Sequence, residues 1–142
     1  MPVTAGAESP GGAQITGAGR LRAEISSRPT DPYLVTVTPD ASPHCRTVTV
    51  AWGVPDGELT VAPVPRTWAR AETAGYRQVS LLWPPTEPGG YTLIVDGTGA
   101  YGQADGGPTL TVTVTRAVLH RRGPAPAGSS SPCGSDCLHL IG

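Results

Sequence analysis

The residues best suited to chemistry lie between Pro43 and Trp83. Arg46 opens the alternation Arg-Thr-Val-Thr-Val, in which Val48, Val50 and Trp52 share one face of a strand and Thr47, Thr49 and Ala51 share the other. Further on, Arg66, Thr67 and Arg70 cluster at the start of a short helical run, with Thr67 as the N-cap and Gly75 just past the end. Guanidinium groups beside the unpaired N–H groups of a helix N-terminus can hold a phosphate or another anion. The chain has no lysine and no asparagine, so such a site must use arginine forks, backbone N–H groups and hydroxyls. The bland alternative is a set of solvated arginines flanking a strand and a helix. Trp52, Trp68 and Trp83 can stack on a flat ligand, or fill a core that has no phenylalanine. His44 and His120 are candidate acid–base groups, but no carboxylate stands at a useful spacing, which favours structural roles. No nucleophile elbow, Gly-rich dinucleotide fingerprint or metal-hydrolase motif occurs.

A second constellation closes the chain: Cys133-Gly-Ser-Asp-Cys137-Leu-His139. Two thiols and an imidazole can form a soft-metal site completed by a neighbouring chain, or a redox dithiol. The same residues can close a disulfide across a short loop, or ride in a disordered polar tail. Cys45, beside a strand, is expected to pack as a small buried residue.

The elements that must position these residues follow from periodicity and turn chemistry. Residues 1–14, rich in Gly, Ala, Ser and Pro, read as a disordered arm. Ile15 to Ser27 carries Leu21 and Ile25 at helical spacing and reads as a short amphipathic helix ending before Arg28-Pro29. Strands are expected at Tyr33–Thr38, Arg46–Trp52, Leu59–Ala62, Val79–Trp83, Tyr91–Gly102 and Thr109–Leu119, with turns at 39–43, 55–57, 84–90 and 105–108. Gly97 and Gly99 mark a bend or bulge in the fifth strand. Thr67–Ala74 supplies the second helix. Closing six threonine-rich strands into a small antiparallel barrel would protect their edges. After Arg121 the Gly-Pro-Ala-Ser composition reads as a flexible tail, residues 122–142, behind a domain spanning 15–121.

The totals exclude other classes. A chain of 142 residues suits one domain with one core. Charged residues are 15% and the net charge is −1, which argues against binding nucleic acid through many phosphate contacts. No apolar run is long enough to span a bilayer, and the N-terminus lacks a basic region followed by an apolar one. A cytoplasmic protein with mostly reduced cysteines is the expectation.

The order of these motifs resembles the pyridoxamine 5′-phosphate oxidase-like, flavin-binding split-barrel family, in its small actinobacterial-type members. The residues that carry the resemblance are Leu34 to Asp40, Pro43-His44, Arg46 to Val50, Arg66 to Arg70, Ser80 to Pro85, Tyr91 to Gly97 and Thr115 to His120. It covers roughly residues 17–121. The resemblance implies a mainly β protein: a six-stranded antiparallel split β-barrel with two short helices. It also implies a homodimer with flavin mononucleotide (FMN) in clefts between the subunits, and an oxidoreductase acting with a small-molecule substrate or electron donor. Carried over position by position, Arg46 reaches the phosphate, while Thr47, Val48, Thr49 and Val50 run along the ring system. Val61 and Ala62 contribute from the third strand, and Arg66, Thr67 and Trp68 form the phosphate-side triplet, with Arg70 a further basic residue. Trp68 and Ala51 stand where the family often has lysine. The alternative on the same barrel is a non-catalytic module for a deazaflavin, haem or another flat anionic ligand, or a metal or redox role for Cys133, Cys137 and His139.

Overall fold

The structure, a computed structural model, describes residues 10–38, 40–53, 57–64, 78–104, 107–124, 127–128 and 135–142, and for residues 10–16, 103 and 104 the backbone only. Among the described residues one helix precedes eight strands: α1 (Pro10–Ser26), β1 (Tyr33–Val37), β2 (Pro43–Thr47), β3 (Thr49–Trp52), β4 (Glu58–Ala62), β5 (Gln78–Trp83), β6 (Thr92–Ala104), β7 (Gly107–Arg121) and β8 (Asp136–Ile141). The helix starts within the stretch read as a disordered arm. Pro10 opens it, a position where the missing N–H costs nothing and the fixed φ already suits a helix. Leu21 is fully buried and Ile25 packs partly against the core, as their spacing requires.

All strand pairs are antiparallel, in the order β2-β1-β5-β6-β7-β4-β3, with β8 added to β7 outside this path. The expected second strand is divided. Residues 43–47 pair with β1, residues 49–52 pair with β4, and Val48 alone lies between them. Its N–H donates to the Pro32 carbonyl at 3.1 Å and its side chain is buried. β2 and β3 are therefore consecutive in the chain yet stand at opposite ends of the sheet order. The sheet must curl until its two ends lie one residue apart. The expected count of six strands becomes eight. The ends meet through the chain rather than through hydrogen bonds, so the sheet is wrapped but not closed.

The barrel interior follows the period-two alternation. Leu34, Leu59, Val61, Leu81, Leu93 and Leu110 are all at or below 1% exposure, and Trp83 sits among them at 2%. β6 and β7 form the longest hairpin, running from Thr92↔His120 to Ala104↔Gly107. Its register shifts between Asp96 and Gly97, where the glycine signal placed a bulge. A Cβ on Gly97 would meet the Thr113 carbonyl oxygen at 2.5 Å, so only glycine fits there.

The tail also departs from expectation. Asp136–Ile141 forms β8 on the same edge of β7 that β4 occupies further up: β4 pairs residues 110–113 and β8 pairs 117–121. An unpaired edge on a strand as long as β7 exposes backbone donors and acceptors, and the tail satisfies them. The far side of β8 lies against α1, where a Cβ on Gly17 would meet the Leu140 carbonyl oxygen at 2.7 Å. Among the described residues no helix is long and apolar enough to cross a membrane.

Candidate functional site

Arg46 lies on β2 opposite Leu34 of β1, and Thr47 lies opposite Tyr33. Every residue of β2, a strand at one end of the sheet order, is exposed. Cys45 is one of them and is free, not buried as its strand-adjacent position suggested. Past the bend at Val48, Thr49 pairs with Ala62 and Val50 with Val61. The Thr49 hydroxyl donates to the Ala62 carbonyl at 3.1 Å. Val48 and Val61 face the core, whereas Thr49, Ala51, Thr60 and Ala62 are exposed.

The result is an outer face of small side chains, Thr47, Thr49, Ala51, Thr60 and Ala62, while Arg46, opposite Leu34, lies on the other face of β2 and is exposed there. Among the described residues β2 and β3 each pair on one side only, so each leaves one edge with alternate backbone N–H and C=O groups. An open edge of this kind can pair with the alternating donors and acceptors of a planar heterocycle. The exposed Arg46 can meet an anion at one end of it. Thr49 and Val50 are thus brought beside Val61-Ala62, while Arg46 and Thr47 pair with β1. Arg66, Thr67, Trp68 and Arg70 lie outside the described residues, as do the second helix and the turn residues 54–56. Trp83 is a core residue, and Trp52 is partly buried on the inner side of β3.

Two polar clusters had no sequence signature, because their members are distant in the chain and meet only across the sheet. In the first, the Ser80 hydroxyl donates to Asp96 Oδ1 at 2.6 Å and Arg116 donates to Asp96 Oδ2 at 3.0 Å. It lines a cleft of about 520 Å³ beside Val35, Val37 and Thr98. The carboxylate is already paired with a guanidinium and the serine lacks an imidazole, so this is a poor nucleophile arrangement.

In the second, the Tyr91 hydroxyl donates to Asp136 at 3.0 Å, Arg121 Nε donates to the same carboxylate at 2.8 Å, and the Arg121 guanidinium lies 4.3 Å from the Tyr91 ring centroid. The Arg121 hydrogen bonds hold the Asp136 carboxyl below the usual aspartate range, against the opposing effect of lost solvent. Lost solvation, and then the hydrogen bond to Asp136, push the Tyr91 phenol up. These groups pin the start of β8 to the rest of the sheet.

The cysteine motif is placed in part. Cys137 is disulfide-bonded, which departs from the expectation of reduced cysteines; in this form it offers no thiolate to a metal. Its sulfur lies 3.2 Å from His120 Nδ1. A disulfide sulfur has no proton to give, so this contact requires Nδ1 to carry the hydrogen. His139 is exposed on β8, and Cys133 lies outside the described residues. Among the described residues no group of three or more His, Cys, Asp or Glu side chains is placed to hold a metal ion. His44 is exposed on β2.

No family model matches the chain. Among solved structures it is similar to a protein related to general stress protein 26 of Bacillus subtilis, from Clostridium acetobutylicum, described as of the pyridoxinephosphate oxidase family. The TM-score is 0.53 at 12% identity, over 76% of this chain and 89% of that one, which establishes a shared fold. Two mycobacterial proteins are similar in sequence: the uncharacterized proteins Mb0449c of Mycobacterium bovis and MT0457 of Mycobacterium tuberculosis. Each is 33% identical over 132 residues, 84% of this chain and 89% of the relative. A wrapped antiparallel sheet of the pyridoxinephosphate oxidase type and one-third identity across nearly the whole length lead to one assignment: the chain belongs to the family of these mycobacterial proteins.

Proposed function

We propose that this protein binds flavin mononucleotide along the free edge of β2 and β3 and serves as an oxidoreductase for a small molecule. The observation that carries this reading is the exposed Arg46, followed along the same stretch by the small exposed side chains Thr47, Thr49 and Ala51. The fold supports it. The chemistry of this donor set fits the cofactor: a guanidinium for the phosphate, and a strand edge and small side chains for a planar ring. Thr47 and Thr49 orient the ring, Val48 and Val61 hold the strand from the core side, and Ala62 leaves room above it. Arg66, Thr67, Trp68 and Arg70 complete the phosphate end in this reading. When bound, the flavin supplies the hydride or electron transfer. A second copy of the chain closes the cleft, and the protein works in the cytoplasm with a soluble electron donor.

The test is an absorbance spectrum of the purified chain after FMN is added and the sample desalted. Retained bands near ~370 and ~450 nm are expected, the signature of this cofactor class. Arg46→Gln should weaken retention roughly ten- to a hundred-fold, the loss of one charge-assisted bond. No retention at high micromolar FMN would sink the reading.

One observation favours a second reading, a binding module without catalysis. Arg46 is the one arginine or lysine on β2, β3 and β4. A haem or deazaflavin retained where FMN is not would select it.

A further inference from the structure

We propose that the cleft between α1 and the inner face of β3 is a binding site for a small planar aromatic carboxylate. It is formed by Arg22 and Ile25 of α1, by Arg28 and Asp31 of the connection to β1, by Val50 and Trp52 of β3, and by Trp83 of β5. Its volume is about 350 Å³. Ligand pockets run from about 300 to 1,000 Å³, so this one suits a molecule of one or two rings.

Two walls are indoles. Trp83 is buried and fixed by the core, which gives a rigid apolar floor. Trp52 is half-buried, and the guanidinium of the exposed Arg22 sits 5.9 Å from its ring centroid. An arginine held over an indole is already oriented by the ring, and its N–H edge remains available to a carboxylate.

Arg28 adds to the charge argument. Its side chain is only 5% exposed. One terminal nitrogen donates to the Pro84 and Tyr91 carbonyl oxygens at 3.0 and 2.7 Å, and the other meets Glu24 Oε1 only at 3.5 Å. Its Nε is buried with no acceptor. A buried guanidinium that is so loosely neutralised leaves positive potential at the cleft wall. The charged groups that line the cleft are Arg22, Arg28 and Asp31; Arg28 has Glu24 beside it, so Arg22, over the indole, is the cation presented to a ligand. Aromatic walls select a planar ring, and this cation selects a carboxylate on it. Asp31, exposed, can accept a hydrogen bond from a ring hydroxyl.

The site lies on the opposite face of β3 from Thr49 and Ala51, so it is independent of the flavin reading. In sequence Arg22 is only a polar residue between Leu21 and Ile25; its approach to the Trp52 ring exists only in the folded chain.

The test is a titration of the isotope-labelled full chain with 4-hydroxybenzoate, followed by backbone and indole N–H resonances. Its neutral counterpart, 4-hydroxybenzamide, is titrated in parallel. Saturable shifts centred on Ile25, Thr30, Val50 and the Trp52 indole are expected. Binding of the amide, and of the acid to Arg22→Gln, should be roughly tenfold weaker or more. Arg22 is exposed, so that variant keeps the fold. The proposal is overturned by the absence of saturation up to about 10 mM. Equal binding of acid and amide overturns it too, as do shifts centred on Thr47, Thr49 and Ala51 of the outer face.

Discussion

Two glycines of α1 show how a single methyl group changes sign with its surroundings. Gly19 is exposed and a Cβ there would meet nothing within 4 Å. Gly19→Ala should therefore stabilise the protein by about 0.5–1 kcal/mol, the ordinary helix-propensity gain. Gly17 has the same intrinsic preference, but its Cβ would press on the Leu140 carbonyl oxygen. Gly17→Ala should lower stability by about 1–3 kcal/mol, since α1 and β8 must move apart to admit it. Urea unfolding of the pair measures both. Arg46 illustrates the opposite separation. It is exposed at a sheet edge, so Arg46→Gln should leave stability within about 0.5 kcal/mol while cofactor retention falls.

At the scale of elements, β8 is an added strand held by its ladder to β7, its packing on α1 and one polar cluster. Its ladder to β7 carries a register irregularity between Ala117 and Val118, and its first residue is Asp136, bound by Arg121 and Tyr91. The Asp136 carboxyl titrates below its ordinary value in the folded protein. The unfolded chain therefore takes up the proton first as pH falls. The stabilising contribution is present in full above the ordinary aspartate range and is lost as pH drops through the depressed folded value. Amide exchange of residues 137–140 should stay slow at neutral pH and quicken at strongly acid pH. Asp136→Asn should remove most of that pH dependence by leaving Arg121 without its carboxylate partner. Exchange that does not respond to the substitution would show that the ladder and the α1 contact alone hold the strand.

For the whole molecule, one core joins the helix to every strand of the sheet except β2. Trp83 sits at its centre, on the strand between β1 and β6. Trp83→Ala should cost about 3–5 kcal/mol, a large share of the ~5–15 kcal/mol that holds a domain of ordinary stability together. A shifted urea midpoint with an unchanged slope would show cooperative loss across the sheet. The resemblance in fold to a pyridoxinephosphate oxidase-family protein at 12% identity fits the same view, because a wrapped sheet constrains the pattern of buried positions far more than the residues that fill them.

The sequence by itself determined the local pieces. Period-two alternation placed the β1, β4, β5, β6 and β7 segments to within a few residues, helical spacing put Leu21 in the core, and Gly97 marked the bulge. The family resemblance grouped Arg46 to Val50 with Val61-Ala62, and the register sets Thr49 and Val50 beside that pair. Only the tertiary structure decided the rest. The run from Pro43 to Trp52 alternates without interruption, so nothing local announces that Val48 divides it between the two ends of the sheet. The tail's fate depended on an edge of β7 left vacant beyond β4, a property of the assembled sheet. Ser80, Asp96 and Arg116 likewise meet only through register, as do Arg22, Arg28 and Trp52 through the turn of the helix over the barrel mouth. Spacing along the chain records none of these, because each contact is set by how distant segments pair.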